Sequence, residues 1–510
     1  IVPGRSGSRL ALVASTLGLV LKLAVAALVL STPVLGVWAA SSVAAHQGKA
    51  TWLPFVAGLA AFPGLPLAWD AWSEYRRRKQ KDSRARILTF GDRLLLRTFA
   101  INFVLIAGLV AARPTLVFTA LSTRGDWMLD GRQGAFIERS RSLLFGLSGQ
   151  LEWLYELAHK NRFEKLVDDD PGITPGPLPT STATSAPLPT PTPTTTSGGA
   201  PTPRPDDPGT KTEPKLSAAD WPLPTELHPL VRDFPPAEET SFESVARHIK
   251  AQEPEPRARI KALHDYVADR IAYDAVALAD DTIPAQDARS VFDSRKGVCA
   301  GYANLLSAMA KVTGDEVATV VGDARTDVDT IGGGGHAWNA AKIGGKWYLI
   351  DATWDSGHVN GRAFTKAYST NYLLTPPEIF GVDHYPEQDR WQLRARPIDR
   401  GEFMRQPMLR ARFFMHGLKL NKPDRSQVTV GSSFEIEVDN PRGAFMLARV
   451  KPKHAPEADQ GERCSVLPGP SIRVTCPFPS DGVYRALLFA GREQYGTYSH
   501  VGTFEAVSRR

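Results

Sequence analysis

Cys299, His336 and Asp351 have the residue types and the order of a nucleophilic triad. Glycines lie two positions before and two positions after the cysteine, and we interpret them as allowing a tight turn into a helix. Apolar residues then recur at helical spacing as far as Gly314, which predicts a helix beginning near Cys299. At a helix N-terminus, free backbone N–H groups and the helix dipole favour the thiolate that attacks a carbonyl carbon. We therefore predict that Cys299 is a nucleophile.

The two other residues supply a base and a group that orients it. His336 begins a short alternating run that predicts a strand, and an imidazole can accept the thiol proton and later protonate the leaving group. Asp351 ends a second run about one hairpin further on and would hold the imidazole in one tautomer. Taken singly, each residue has an ordinary structural role, as a buried thiol, a core histidine or a turn carboxylate. Their combination indicates acyl-transfer chemistry.

The same stretches resemble a known family. Arg-Lys-Gly-Val-Cys-Ala-Gly-Tyr at 295–302, His-Ala-Trp-Asn at 336–339 and Leu-Ile-Asp-Ala-Thr-Trp-Asp at 349–355 are similar to the core of the transglutaminase-like superfamily. Downstream, residues 372–378, His384, Pro386 and Trp-Gln-Leu at 391–393 resemble the branch that contains the kyphoscoliosis peptidase. The resemblance covers about residues 217–415.

This resemblance implies an α+β papain-like fold and thiol acyl chemistry, with Cys299 as nucleophile, His336 as base and Asp351 as orienting group. Some relatives of this kind lack catalytic residues and act as binding scaffolds, whereas all three positions are filled here. Asp-Ser-Gly at 355–357 departs from the Gly-Ala-Gly that this branch favours. The resemblance therefore does not define the loop after the aspartate.

Further residues near the triad are candidates for supporting roles. An oxyanion hole needs the Cys299 N–H and a second donor, for which Gln286 is a candidate, with a surface loop residue as the alternative. Trp338, Trp354 and Tyr302 either line a substrate channel or pack in the core.

No metal or cofactor is expected from the sequence. Asp323, Asp327 and Asp329 lack the glycine and distal glutamate of an EF-hand loop, so we interpret them as solvated loop carboxylates. The glycines at 332–335 follow no strand that leads into a helix, which excludes a phosphate-binding fingerprint and indicates a flexible loop before His336. The cysteine and histidine spacings do not match a zinc site.

The N-terminal region 1–122 has the composition of a membrane region with about three transmembrane helices. The chain has 510 residues and is 43% hydrophobic, and apolar runs occur at 23–40, 52–69 and 98–121. Prolines weaken the second run, and Arg113 with Pro114 interrupts the third. A cleaved signal peptide is the alternative for the first run.

Basic residues predict the orientation of these spans. Nine Lys and Arg residues occur between positions 76 and 97, and basic loops stay in the cytoplasm. Three spans would then place the catalytic domain outside the cytoplasm, whereas failure of the third span would leave it inside. Much of the basic excess behind the net charge of +6 lies in this loop, so we expect a membrane-embedded protein and no nucleic acid partner. The triad chemistry implies a protein or peptide substrate.

Four segments follow the membrane region. Residues 123–166 form an amphipathic helical segment, either interfacial or packed on the membrane helices. Residues 167–216 form a disordered Pro/Thr-rich linker, with 13 Pro and 12 Thr among positions 171–214. Residues 217–398 form the catalytic domain. We interpret residues 399–510 as an all-β immunoglobulin-like sandwich, because β-rich runs occur at 412–415, 427–430, 434–438, 444–450, 471–475, 483–489 and 497–504.

The two remaining cysteines lie symmetrically about a turn. Cys464 and Cys476 are each six positions from Pro470, so a hairpin would place them opposite each other. We predict a disulfide there, with two free buried thiols as the alternative.

The leading functional hypothesis is a membrane-anchored cysteine peptidase. A transglutaminase or a deamidase would use the same triad on a glutamine amide, with an amine or water as acceptor. A membrane-tethered binding scaffold without activity is the alternative from another class.

Overall fold

The computed structural model describes residues 25, 27, 29, 31–50, 52–80, 88–132, 134–167, 221–328, 331–456 and 458–509. The chain divides into two compact units, which we describe separately. The first unit contains Ile1–Asn161, Ala324–Gly334 and Ile398–Arg510, and the second contains Arg162–Asp323 and Gly335–Pro397. The predicted Pro/Thr-rich linker lies almost wholly outside the described residues.

The second unit combines a helical layer with a five-stranded sheet. In spatial order the strands are Leu373–Thr375, Lys346–Ile350, Ile331–Ile343, Glu316–Arg325 and His384–Pro386. A parallel pair joins Ala272–Tyr273 to Lys296–Gly297, and Gly357–Asn360 pairs with Ala363–Lys366. The helices are Pro229–Arg232, Phe242–Gln252, Pro256–Arg270, Ala275–Ala279, Ala288–Ser294, Cys299–Thr313, Ala352–Ser356 and Pro377–Phe380.

The helix Cys299–Thr313 lies at the centre of this unit. Its residues Leu305, Leu306, Met309 and Ala310 are fully buried in one apolar core with the neighbouring helices. It ends at Gly314, whose φ of +76° is the left-handed conformation that a glycine adopts at low cost. The predicted helix is therefore present, because a run of good helix formers ends at a favourable C-terminal residue.

The predicted hairpin before the aspartate is also present. The strands Ile331–Ile343 and Lys346–Ile350 pair antiparallel, with Asn339 opposite Ile350 and Ile343 opposite Lys346. Gly344 and Gly345 form the two-residue turn with positive φ at both positions, which only glycine and a few polar residues tolerate.

Among the residues that the structure describes, the first unit contains two helices that are long and apolar enough to cross a membrane, Trp52–Lys79 and Phe90–Ala112. The first of them is interrupted at Phe62, whose dihedral angles are extended. The second begins at a capping box between Thr89 and Asp92, eight positions before the predicted run at 98–121. It ends at Arg113, because Pro114 cannot continue it. The next helix, Pro114–Arg124, is mostly buried, so the predicted third run is two helices.

Other described helices of the first unit come before and after these two helices along the chain. Residues 31–46 are helical and include part of the first predicted span, the rest of which lies outside the described residues. The amphipathic segment predicted at 123–166 contains two helices and two single 3-10 turns. In chain order these are Trp127–Leu129, Ala135–Gly149, Glu152–Ala158 and Glu164–Leu166.

The C-terminal part of the first unit is rich in β-structure. A six-stranded sheet contains Met408–Leu409, Gln427–Val430, Phe445–Pro452, Glu462–Arg463, Gly482–Gly491 and Ser499–Ser508. A four-stranded sheet contains Lys419–Lys422, Ser433–Asp439, Ser465–Leu467 and Ser471–Pro477. Residues of both sheets share one buried apolar core. The more specific immunoglobulin-like assignment stays a prediction.

Two local predictions in this region have clear outcomes. The disulfide is confirmed, since Cys464 and Cys476 are bonded with 4.4 Å between their Cα atoms. The strand predicted at 412–415 is wrong, because Ala411–Met415 is a single helical turn. That turn ends at Gly417, which has a positive φ, and it buries Phe413 in the apolar core, so tertiary packing overrides the β-rich composition.

A candidate Cys-His-Asp active site

The structure brings Cys299, His336 and Asp351 together from three elements. Cys299 is the first residue of its helix, and His336 lies on the strand Ile331–Ile343. Nε2 of His336 lies 2.8 Å from Oδ2 of Asp351. The imidazole also hydrogen-bonds Cys299, and because Nε2 faces the carboxylate, Nδ1 is the nitrogen available to the thiol. The three side chains therefore lie in the order thiol, imidazole and carboxylate.

Four hydrogen bonds hold the carboxylate of Asp351. Asp351 is the N-cap of the helix Ala352–Ser356, and its Oδ1 accepts from the backbone N–H groups of Thr353 at 2.8 Å and Trp354 at 3.1 Å. Its Oδ2 accepts from His336 at 2.8 Å and from His384 at 3.0 Å. The helix start therefore fixes one oxygen and leaves the other to face the imidazoles.

The charges of the site favour an imidazolium at His336. Burial alone lowers the pKa of His336, but the charge and hydrogen bond of Asp351, together with Cys299, outweigh burial and raise this pKa to about 9. Burial raises the pKa of Asp351, whereas His336 and His384 hold it well below its ordinary value. His336 therefore carries a proton near neutral pH and can donate it.

His384 is a neighbour of the triad whose role the sequence did not reveal. Nδ1 of His384 lies 2.8 Å from Oδ1 of Asp383, and Nε2 lies 3.0 Å from Oδ2 of Asp351. Both ring nitrogens face carboxylates, so both carry protons and the ring is cationic. Burial lowers the pKa of His384, but Asp351 and Asp383 raise it to about 9. No sequence signal near Asp351 indicated this contact, because His384 comes from an edge strand 33 positions later.

Asp355 anchors the loop at 355–357, where the sequence departs from the family pattern. Its side chain is fully buried and accepts hydrogen bonds from Oγ of Ser369 at 2.6 Å and from the backbone N–H of Tyr372 at 3.0 Å. His264 lies 3.2 Å from its Oδ2. The backbone N–H of Asp351 in turn donates to the carbonyl of Tyr372 at 2.9 Å. These contacts hold the segment that carries Asp351.

Gln286 supports the start of the Cys299 helix. It is 3% exposed, so the surface-loop alternative is wrong. Its Oε1 accepts from the backbone N–H of Val298 at 2.9 Å, and its Nε2 donates to the carbonyl of Pro284 at 3.0 Å. A Cβ on Gly301 would lie 2.5 Å from that Oε1, so this glycine admits the glutamine rather than forming a turn.

The three aromatic residues near the triad differ in their surroundings. Tyr302 is fully buried and donates to the carbonyl of Ile271 at 2.7 Å. Trp338 is 1% exposed. Trp354 is half-buried, and its ring centroid lies 5.6 Å from that of His336. Only Trp354, of these three, has surface that a bound substrate can touch.

Hydrogen bonding accounts for the arrangement of possible metal ligands at the site. The ligand atoms of His336, Asp351 and His384 lie within 4.8 Å of one another. Both imidazoles donate to the same carboxylate oxygen, so we assign no metal to this group. Of the three aspartates considered for calcium, Asp323 is 2% exposed, contrary to the expectation of a solvated carboxylate. Asp327 bonds Arg485, and residue 329 lies outside the described residues.

The part of the chain that carries this site matches a known protein family. Residues 243–352 match the family described as the transglutaminase-like superfamily, so the chain carries a transglutaminase-like domain. The prediction of this family from the triad motifs is confirmed.

Three curated proteins are similar to parts of the chain. Kyphoscoliosis peptidase from Mus musculus is 30% identical over 190 residues, which is 36% of this chain and 29% of that protein. The Homo sapiens protein gives the same values. Hillarin from Drosophila melanogaster is 35% identical over 95 residues, 16% of this chain and 12% of that protein. The chain therefore matches less than a third of the length of these relatives.

A solved structure, described as the crystal structure of a TGase, is 20% identical with a TM-score of 0.20. It covers 26% of this chain and 34% of that chain.

Proposed function

We propose that the chain is a membrane-anchored thiol acyl-transfer enzyme that acts on peptide or glutamine amides, and specifically a cysteine peptidase. The observation that carries the proposal is the position of His336, which contacts Cys299 and lies 2.8 Å from Asp351. An imidazole between a thiol and a carboxylate is the arrangement that nucleophilic catalysis by cysteine requires.

The reaction proceeds through an acyl-enzyme. Sγ of Cys299 attacks the amide carbonyl carbon, and the carbonyl electrons move to oxygen. His336 then gives its proton to the departing amine as the C–N bond breaks, which leaves a thioester on Cys299. Water attacks the thioester, and His336 accepts a proton from that water. The C–S bond then breaks, which releases the acid and returns the sulfur of Cys299 as a thiolate. Asp351 holds His336 in the orientation that serves both proton transfers.

The acceptor distinguishes the alternatives within this class. Water acting on a backbone acyl group gives peptide hydrolysis, and water acting on a glutamine acyl group gives deamidation. A lysine amine in place of water gives an isopeptide cross-link, which is transglutaminase activity. We favour the peptidase because kyphoscoliosis peptidase is among the similar proteins.

A binding scaffold without activity is the second candidate. It is favoured by the burial of Cys299, which is 1% exposed. In that case the triad contributes only to stability, and no peptide is turned over.

A peptide library scored by mass separates these functions. The full chain in detergent is incubated with glutamine-containing peptides and a free amine, beside a Cys299→Ala variant. Cleavage, loss of ammonia and amine incorporation each give a different mass change. We expect cleavage by the native protein and none by the variant, and equal behaviour of both proteins would support the scaffold.

We also propose that the catalytic unit lies outside the cytoplasm. The support is the basic loop between the two apolar helices Trp52–Lys79 and Phe90–Ala112 together with the predicted first span. A reporter that is active only in the cytoplasm, fused at residue 172, should be silent. An active reporter would reject this orientation.

A further inference from the structure

A short stretch of the chain packs beside the thiol. Residues 162–167 belong to the same unit as Cys299, and Glu164–Leu166 form a single 3-10 turn. Phe163 is 2% exposed, and Leu166 and Val167 pack against the same apolar cluster as Phe163. The buried members of that cluster are Phe163, Val298, Cys299, Ala300, Ala303 and Ala337. The phenyl ring and the nucleophile therefore share one small core.

A side chain of the Cys299 helix also holds the backbone of this stretch. Nδ2 of Asn304 donates to the carbonyl of Leu166 at 2.8 Å and to the carbonyl of Gln286 at 2.9 Å. The ion pair between Arg162 and Asp281 is exposed, so it contributes little. A buried ring and a main-chain hydrogen bond thus contribute to holding this stretch, a combination by which many protein sites hold a peptide.

The walls around the ring suit a large apolar side chain. Ala300, Ala303 and Ala337 are small and share the cluster with the phenyl ring, and Leu278 and Ile283 are partly buried and pack against it. These five side chains are uncharged, so a charged side chain in this place would lose its hydration without a partner. With Cys299 only 1% exposed, a substrate carbonyl cannot reach the thiol while this packing persists.

We propose that residues 162–167 occupy the acyl-donor subsite beside Cys299, and that this subsite selects peptides with a large apolar side chain, preferably aromatic, near the reacting carbonyl. The stretch must leave before such a peptide binds, so it slows turnover by the native chain without abolishing it. The substrate preference rests on the proposed function, whereas the covering of the thiol does not.

Alkylation of Cys299 measures the covering without any need for turnover. The full chain in detergent is treated with iodoacetamide, and the modified peptide is quantified by mass. Loss of a buried phenyl ring should raise the rate in Phe163→Ala by roughly tenfold or more. Glu164→Ala changes an exposed residue of the same turn, and Phe136→Ala removes the same atoms from a residue that is 78% exposed. Both controls should match the native rate, and an unchanged rate in Phe163→Ala would overturn the proposal.

A peptide added in trans separates uncovering from unfolding. The hexapeptide Arg-Phe-Glu-Lys-Leu-Val, which repeats residues 162–167, should slow alkylation of Phe163→Ala, whereas the same peptide with alanine for phenylalanine should not. An unfolded variant would have no subsite to refill. Fast alkylation that neither peptide slows would therefore also overturn the proposal.

Turnover of matched peptides then tests the subsite as a substrate site. Two peptides that differ only by Phe or Asp next to the reacting carbonyl are given to Phe163→Ala, and we expect the Phe peptide to react at least tenfold faster. Equal rates would overturn the assigned preference.

If the hexapeptide protects the thiol and no protein turns over any peptide, the proposed function fails and the covering stands. If the native chain turns over peptides and Phe163→Ala leaves alkylation unchanged, the covering fails and the function stands.

Discussion

Replacing Asp351 by Asn should weaken the charge on His336 and with it the reactivity of the thiol. The pKa of His336 is raised from 6.5 to about 9, and the favourable interactions begin with the charge and hydrogen bond of Asp351. A rise of that size corresponds to about 3 kcal/mol in favour of the imidazolium. Asn keeps the shape and a capping oxygen but carries no charge. We expect the alkylation rate of Cys299 at pH 7 to fall by roughly a hundredfold.

The assay is the rate of iodoacetamide alkylation at Cys299 between pH 5 and pH 9. The native protein should react faster than Asp351→Asn over the range in which His336 is protonated, and the two rates should converge as the pH approaches 9. The stretch 162–167 is present in both proteins, so the ratio of rates reports on the ion pair rather than on access to the thiol. A profile of Asp351→Asn that superimposes on the native profile would refute the reasoning.

Asp355→Asn is the matched control for this experiment. Asp355 is as buried as Asp351 and lies four positions later, but it faces His264 and Ser369 rather than His336. Its substitution should lower stability and shift the pH profile of alkylation far less than Asp351→Asn does. A shift as large as that of Asp351→Asn would mean that the effect is general to the loop.

Three other predictions concern His384, the glycine in the Cys299 helix and stability. His384→Phe removes the second donor to Asp351, so the charge of that carboxylate acts on His336 alone. The alkylation profile of this variant should extend to lower pH. His384→Gln can still donate to Asp351 and should change the profile less. Gly301→Ala brings a Cβ to 2.5 Å from Gln286 and should lower the unfolding free energy by about 1–2 kcal/mol, measured by thermal melts. Gly146→Ala is the control, because a Cβ there has no atom within 4 Å, and it should be neutral or stabilising. The pKa values of His264, His336 and His384 are raised to about 9. Their contribution to stability is therefore complete below about pH 6.5 and is lost as the pH rises through 9. A melting temperature that rises between pH 6.5 and pH 9 would contradict this prediction.

Those parts of the site that depend on local pattern could be predicted from the sequence. The helix at Cys299 follows from its periodic apolar residues and from Gly314. The hairpin follows from Gly344 and Gly345 between two β-rich runs, since these glycines permit the two-residue turn. The N-cap position of Asp351 adds a local reason for its orientation, because a carboxylate accepts from the first N–H groups of the helix that follows.

The parts that depend on packing between distant residues could not be predicted. His384 reaches Asp351 only because the strand His384–Pro386 joins the edge of the sheet beside Glu316–Arg325, a pairing that no local spacing encodes. Phe163 precedes Cys299 by more than a hundred positions, and its amphipathic surroundings indicated a helix rather than a contact with the thiol. Gln286 was a candidate for the second oxyanion donor and does lie near Cys299, but its side-chain amide hydrogen-bonds the backbone of Val298 and Pro284.

The most direct test of the central claim is the site of the acyl group during turnover. The full chain of Phe163→Ala is mixed with a reactive peptide, quenched in acid and digested, and the fragment that contains Cys299 is weighed. We predict a mass increase equal to the acyl portion of the peptide, which neutral hydroxylamine removes, and no such fragment in a Phe163→Ala, Cys299→Ala double variant. Turnover with the acyl group elsewhere, or turnover that persists without Cys299, would contradict the account.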